Sequence, residues 1–128
     1  MTTIALLHGW GFDARVWDPV APLLAQDADV IRLDLPGYRG TADCGDLEST
    51  IAQLAQQLPA GTTLVGWSLG SLLAQRIAAV SPDRVKGLVL VAGTPCFAQR
   101  DDWACAQPNA TLNAFIAGIE ADPAATLA

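Results

Sequence analysis

Four short apolar runs, each closed by a turn and separated from the next by helical periodicity, restrict the fold of this chain most. They are Ile4-Ala5-Leu6-Leu7, Val30-Ile31-Arg32-Leu33, Thr62-Thr63-Leu64-Val65 and Gly87-Leu88-Val89-Leu90-Val91-Ala92. Runs of this length read as strands, and continuous apolarity reads as burial on both faces of a sheet. Between them, apolar residues recur at spacings of three and four. Val16, Trp17, Val20, Leu23 and Leu24 mark a first helical stretch, with Pro19 and Pro22 early in it, where a missing N–H matters least. Leu47, Ile51, Leu54 and Leu58 mark a second, stopped by Pro59 and Gly61. Leu72, Leu73, Arg76, Ile77 and Val80 mark a third, closed by Ser81-Pro82. Strands alternating with helices imply the α/β class: a mostly parallel sheet, helices on both faces, right-handed crossovers. Beyond Pro95 the alternation stops, and Leu112, Phe115, Ile116 and Ile119 predict one more helix. The expected division is a core over residues 1–98 and the start of a helical cap over 99–128.

The turn after the third run carries the chemistry. Gly66-Trp67-Ser68-Leu69-Gly70 places a serine between two glycines, with an apolar strand before it and an amphipathic helix after it. A sharp strand-to-helix turn forces the serine into strained backbone geometry and lifts its hydroxyl above the sheet. Side chains two residues before and two after would collide, and glycine removes them. A plain capping serine needs neither glycine. The setting resembles the nucleophile elbow of an α/β-hydrolase fold, and it makes Ser68 the candidate catalytic residue.

The first run ends in His8-Gly9-Trp10-Gly11, an irregular loop able to present the N–H of Trp10 to a reacting oxyanion. Leu69 opens the helix after the serine, where N–H groups have no intrahelical acceptor. Trp10 and Leu69 are therefore the candidate oxyanion donors. His8 is the only histidine. It precedes the serine, whereas this fold orders its triad Ser, then Asp or Glu, then His, so a structural role is expected for it. Asp34 lies on the same wrong side and is expected to hold its loop by accepting backbone N–H bonds. Neither Cys96 nor Cys105 has a histidine after it, which argues against a cysteine nucleophile. Arg100-Asp101-Asp102 reads as solvated surface.

Composition excludes several other classes. Of 128 residues, 52% are apolar and 16% charged, which suits one folded domain rather than disorder. A net charge of −6 without clustered cations makes nucleic acid an unsuitable partner. No apolar run approaches the roughly 18 residues a bilayer span needs, and no basic segment precedes an apolar start as in a signal peptide. Three cysteines at irregular spacing fit neither a disulfide framework nor a zinc site, so no metal or cofactor is expected. Free thiols point to a reducing cytoplasm.

With these residues in hand, the chain resembles the pimeloyl-[acyl-carrier protein] methyl ester esterases, the carboxylesterases of biotin synthesis. The matching segments are Leu6-Leu7-His8-Gly9-Trp10-Gly11, Asp34-Leu35-Pro36-Gly37, Leu64-Val65-Gly66-Trp67-Ser68-Leu69-Gly70, Ser81-Pro82-Asp83-Arg84-Val85 and Thr94 through Trp103. Tryptophan in both glycine motifs, with the Pro-Cys-Phe and Arg-Asp-x-Trp segment, is narrower than the superfamily pattern. The resemblance implies Ser68 as nucleophile, Trp10 and Leu69 at the acyl group, an acyl-ester substrate and acyl carrier protein as its carrier. It also implies a chain about twice as long, so this one is expected to end within the cap. The remaining half, with the triad acid and histidine, would come from missing residues or another chain. Ser71 departs from the pattern, standing where a third glycine is frequent. A lactonase or carbon–carbon hydrolase on the same scaffold, and a non-catalytic remnant, are the other readings.

Overall fold

A computed structural model describes all 128 residues. Four strands, β1 (Thr2–Leu7), β2 (Ala28–Leu33), β3 (Thr62–Trp67) and β4 (Val85–Val91), form one sheet in the order β2-β1-β3-β4. Every pairing is parallel. The helices are α1 (Ala21–Leu24), α2 (Leu47–Gln56), α3 (Leu69–Val80), α4 (Asn109–Ala121) and α5 (Pro123–Thr126). The chain first steps from β1 to β2, then reverses across β1 to β3 and β4. With right-handed crossovers, that reversal puts the first connection on one face and α2 and α3 on the other.

The core lies under α2 and α3. Ile51, Leu54, Ala55 and Leu58 pack with Leu73, Ala74 and Ile77 against Ala5, Leu7, Leu33 and Leu64 of the sheet. Each large aliphatic side chain removed from water there contributes about 1.5–3 kcal/mol. The spacing that predicted these helices is what aligns the buried side chains on one stripe. Asp46 starts α2 by accepting the Ser49 N–H at 2.7 Å. Arg76, on the exposed side of α3, pairs with Glu48 of α2 at 2.5 Å.

Two expectations need correction. The stretch over 16–24 is not one helix but a 3-10 turn at Ala14–Trp17 followed by the single turn of α1. Pro19 and Pro22 lack the N–H groups a continuous helix would use, and Val20 and Leu23 remain exposed. The fourth run does form a strand, but it is not buried on both faces. Leu88, Val89, Leu90 and Val91 are 39–48% exposed, because β4 has a neighbouring strand on one side only.

The chain divides into two compact units between Thr94 and Pro95, four residues before the expected boundary (98 against 94). In the second unit, Gln99 and Phe97 exchange backbone bonds with Gln107, and α4 is followed directly by α5. Asp122 caps α5 through the Ala125 N–H at 3.0 Å. Arg100, Asp101 and Asp102 are exposed, as expected for solvated surface. No helix is long and apolar enough to cross a membrane.

Candidate active site

Parallel register brings two loops to one point. Leu7 pairs with Gly66, so the chain leaves β1 through His8 and Gly9 beside the place where it leaves β3 through Ser68. The connections from these neighbouring strands run in opposite directions, to β2 and to β4, which opens a crevice at their carboxyl ends. Ser68 stands at that crevice, half-buried, with φ 52° and ψ −114°. A left-handed φ at a serine costs about 1–3 kcal/mol and persists only where the surroundings impose it. The sharp bend ends β3 and starts α3 in one residue, so Ser68 stands at the positive end of a 12-residue helix.

The flanking glycines are required by space, as the sequence predicts. A Cβ on Gly66 would lie 2.4 Å from the carbonyl oxygen of Gly70. A Cβ on Gly70 would lie 2.4 Å from the Leu7 carbonyl oxygen and 2.6 Å from that of His8. The start of α3 thus rests directly on the end of β1. Backbone bonds complete the bend: the Ser68 N–H donates to the Val91 carbonyl at 3.0 Å. The Ser68 carbonyl accepts from the Ser71 N–H at 2.9 Å, the Leu72 N–H at 3.3 Å and the Ser71 hydroxyl at 2.7 Å.

Trp10 lies in the loop after β1 and is 46% exposed. Leu69 is the first residue of α3 and packs half-buried on the core. Gly9 between them and the elbow has no room for a side chain, since its Cβ would touch the Trp67 ring at 2.9 Å. Trp67 also meets Phe12 edge to face, with centroids 4.9 Å apart. His8 is fully buried beneath this loop. Its Nδ1–H donates to the Gly9 carbonyl at 2.8 Å, and its Nε2 accepts the Leu35 N–H at 3.0 Å. Both nitrogens are committed, which selects the neutral Nδ1–H tautomer and the structural role expected. Asp34 accepts a backbone N–H, but from Ala14 at 2.8 Å rather than from its own loop, and so ties the loops after β1 and β2 together.

Sequence comparison decides the family. The sequence profile of the alpha/beta hydrolase family matches residues 4–127. The chain belongs to the alpha/beta hydrolase family. It is 44% identical over 108 residues to the pimeloyl-[acyl-carrier protein] methyl ester esterase of Klebsiella pneumoniae, covering 83% of this chain and 42% of that one. It is 39% identical over 126 residues to the esterase of the same name from Nitrosomonas europaea, covering 97% and 50%. The chain therefore spans about half the length of these relatives. Among solved structures, an esterase from Exiguobacterium antarcticum superposes with a TM-score of 0.85 at 24% identity, over 99% of this chain and 51% of that one. A hydrolase from Oleispira antarctica gives 0.84 at 21%, over 98% and 50%. At those identities the likeness is one of fold.

Some hydrolase features at the bend have no linear signature. The acceptor role of Val91 and the Phe12–Trp67 contact depend on residues the sheet brings together, and the Ser71 hydroxyl bond on the bend itself. A cleft of about 390 Å³ lies elsewhere, lined by Arg32, Asp34, Thr41, Gln53, Gln56 and Gln57. Its lining of amide, hydroxyl, carboxylate and guanidinium groups includes neither Ser68 nor the loop after β1.

Proposed function

We propose that the chain carries the nucleophile and oxyanion loop of a serine carboxylesterase that hydrolyses the methyl ester of a pimeloyl group borne on acyl carrier protein. The observation that carries this reading is the strained Ser68 bend, with glycines at the two positions where any side chain would strike backbone. The names of the Klebsiella and Nitrosomonas relatives supply the substrate.

In the reaction, the Ser68 hydroxyl gives its proton to a general base and attacks the ester carbonyl carbon. The N–H groups of Trp10 and Leu69 receive the oxyanion, each worth about 3 kcal/mol to the transition state. Collapse expels methanol and leaves an acyl-enzyme on Ser68; water then releases the free carboxylate. His8 cannot be the base, because both its nitrogens are engaged in a buried site. The general base this reading requires is therefore a residue other than His8. A net charge of −6 lends no support of its own to an acidic carrier as partner. Three free cysteines favour a cytoplasmic setting.

The test is methanol release from pimeloyl-[acyl-carrier protein] methyl ester by the product of the complete reading frame. Turnover that falls about a thousandfold or more in Ser68→Ala supports the assignment. Turnover unaffected by that change, or activity confined to lactones or carbon–carbon substrates, contradicts it.

A further inference from the structure

We propose that Ser71 is a positioning residue of the oxyanion hole, aiming the Leu69 N–H through the peptide that joins Ser68 to Leu69. The inference rests on the reading of Ser68 as nucleophile and goes beyond it.

Ser71 is fully buried, yet its side chain is polar and bonded in one direction only. Its hydroxyl donates to the Ser68 carbonyl at 2.7 Å, beside the N–H groups of Ser71 and Leu72. That carbonyl and the Leu69 N–H belong to one planar trans peptide, so they point in opposite directions. Three donors holding the oxygen end therefore set where the N–H end aims. They also draw electron density toward the oxygen, which strengthens the N–H as a donor. At φ 52° the peptide is not in the orientation a relaxed serine would choose, so the grip opposes a real restoring tendency.

The slot for this hydroxyl is shaped by a second residue. A Cβ on Gly93 would lie 2.4 Å from the Ser71 oxygen and 2.8 Å from its Cβ. Residues 71 and 93 thus compete for one space, and glycine at 93 yields it to serine at 71. A side chain on residue 93 would start in the space the Ser71 hydroxyl now fills, 2.7 Å from the carbonyl it bonds, and a hydroxyl there is expected to take over that bond. Space filling alone makes no such demand, since it needs volume rather than a donor.

The experiment uses the product of the complete reading frame with Ser68→Ala, Ser71→Ala, Gly93→Ser and the exchange variant Ser71→Gly/Gly93→Ser. Methyl-ester kinetics are measured beside inhibition by an aliphatic trifluoromethyl ketone, whose hemiketal oxygen occupies the oxyanion hole. Ser71→Ala is expected to lower kcat about tenfold at unchanged KM and to weaken the ketone by the same factor. Gly93→Ser alone is expected to overpack the slot and lose stability. The exchange variant should return kcat and ketone affinity to within about threefold of wild type. Ser71→Ala with kcat and ketone affinity within about twofold of wild type overturns the proposal, as does a kcat loss that leaves the ketone unaffected. Should Ser71→Ala not fold, the exchange variant decides alone, and a folded exchange variant still tenfold impaired overturns it. If Ser68→Ala keeps full turnover, the nucleophile reading has failed; if it is dead while the Ser71 variants are normal, only this proposal has.

Discussion

At Ser68 a backbone angle that serine avoids is held by neighbours that give up their own side chains. Gly66 and Gly70 leave room for each other and for the end of β1, and no other residue type can. Gly66→Ala or Gly70→Ala should therefore cost about 3 kcal/mol or more, read as a lowered urea midpoint at unchanged slope. A midpoint within error of wild type would show that the bend relaxes more freely than its contacts allow. His8 poses a different question, because it touches the site loop without serving the reaction. His8→Ala removes the acceptor of the buried Leu35 N–H and should destabilise by about 2 kcal/mol, with nucleophile labelling retained in the folded fraction. Loss of labelling at full stability would instead give His8 a chemical role. The elbow was readable because its constraint is local: glycines two residues either side of a serine have few other uses. Ser71 and Gly93 were not, since only the β3–β4 crossover makes them neighbours.

Among the elements, periodicity predicted α2 and α3 well because their apolar stripes match what the sheet buries. It failed after β1, where Val16 to Leu24 has the spacing of a helix but two prolines within reach of its first turns. The start of α2 yields a pH prediction. The Ser49 N–H, and then the Ser49 hydroxyl, hold the Asp46 carboxyl below its usual value. A depressed native value means stabilisation present above the unfolded pKa of about 3.9 and lost as pH falls through the native value. Asp46→Asn keeps an acceptor but no charge. The Tm gap between wild type and Asp46→Asn should thus be open at pH 6 and shrink steadily below about pH 4. A gap constant with pH would mean the charge contributes nothing to the cap. Asp13, held low by the Arg15 side chain, titrates alike in both proteins and cancels from the difference.

For the molecule as a whole, the parallel sheet and its alternation with helices were legible, because strands and helices announce themselves by period. The strand order was not, since no local pattern states that β2 lies outside β1. β4 ends the sheet with apolar side chains open on both faces. Unpaired N–H and C=O groups beside exposed leucine and valine favour association between copies. Residues 1–128 alone should elute as oligomers or aggregate and turn over a short p-nitrophenyl ester only marginally, for want of a base beside Ser68. Val89→Lys on the open strand should lower their light scattering. A monodisperse monomer with rapid ester turnover would contradict both points. The central claim, that Ser68 is an activated nucleophile on a strained bend, is tested most directly by covalent labelling. The product of the complete reading frame, treated with a fluorophosphonate and mapped by mass spectrometry, should carry one adduct, on Ser68, absent in Ser68→Ala. An adduct on another residue, or labelling that survives Ser68→Ala, would contradict it.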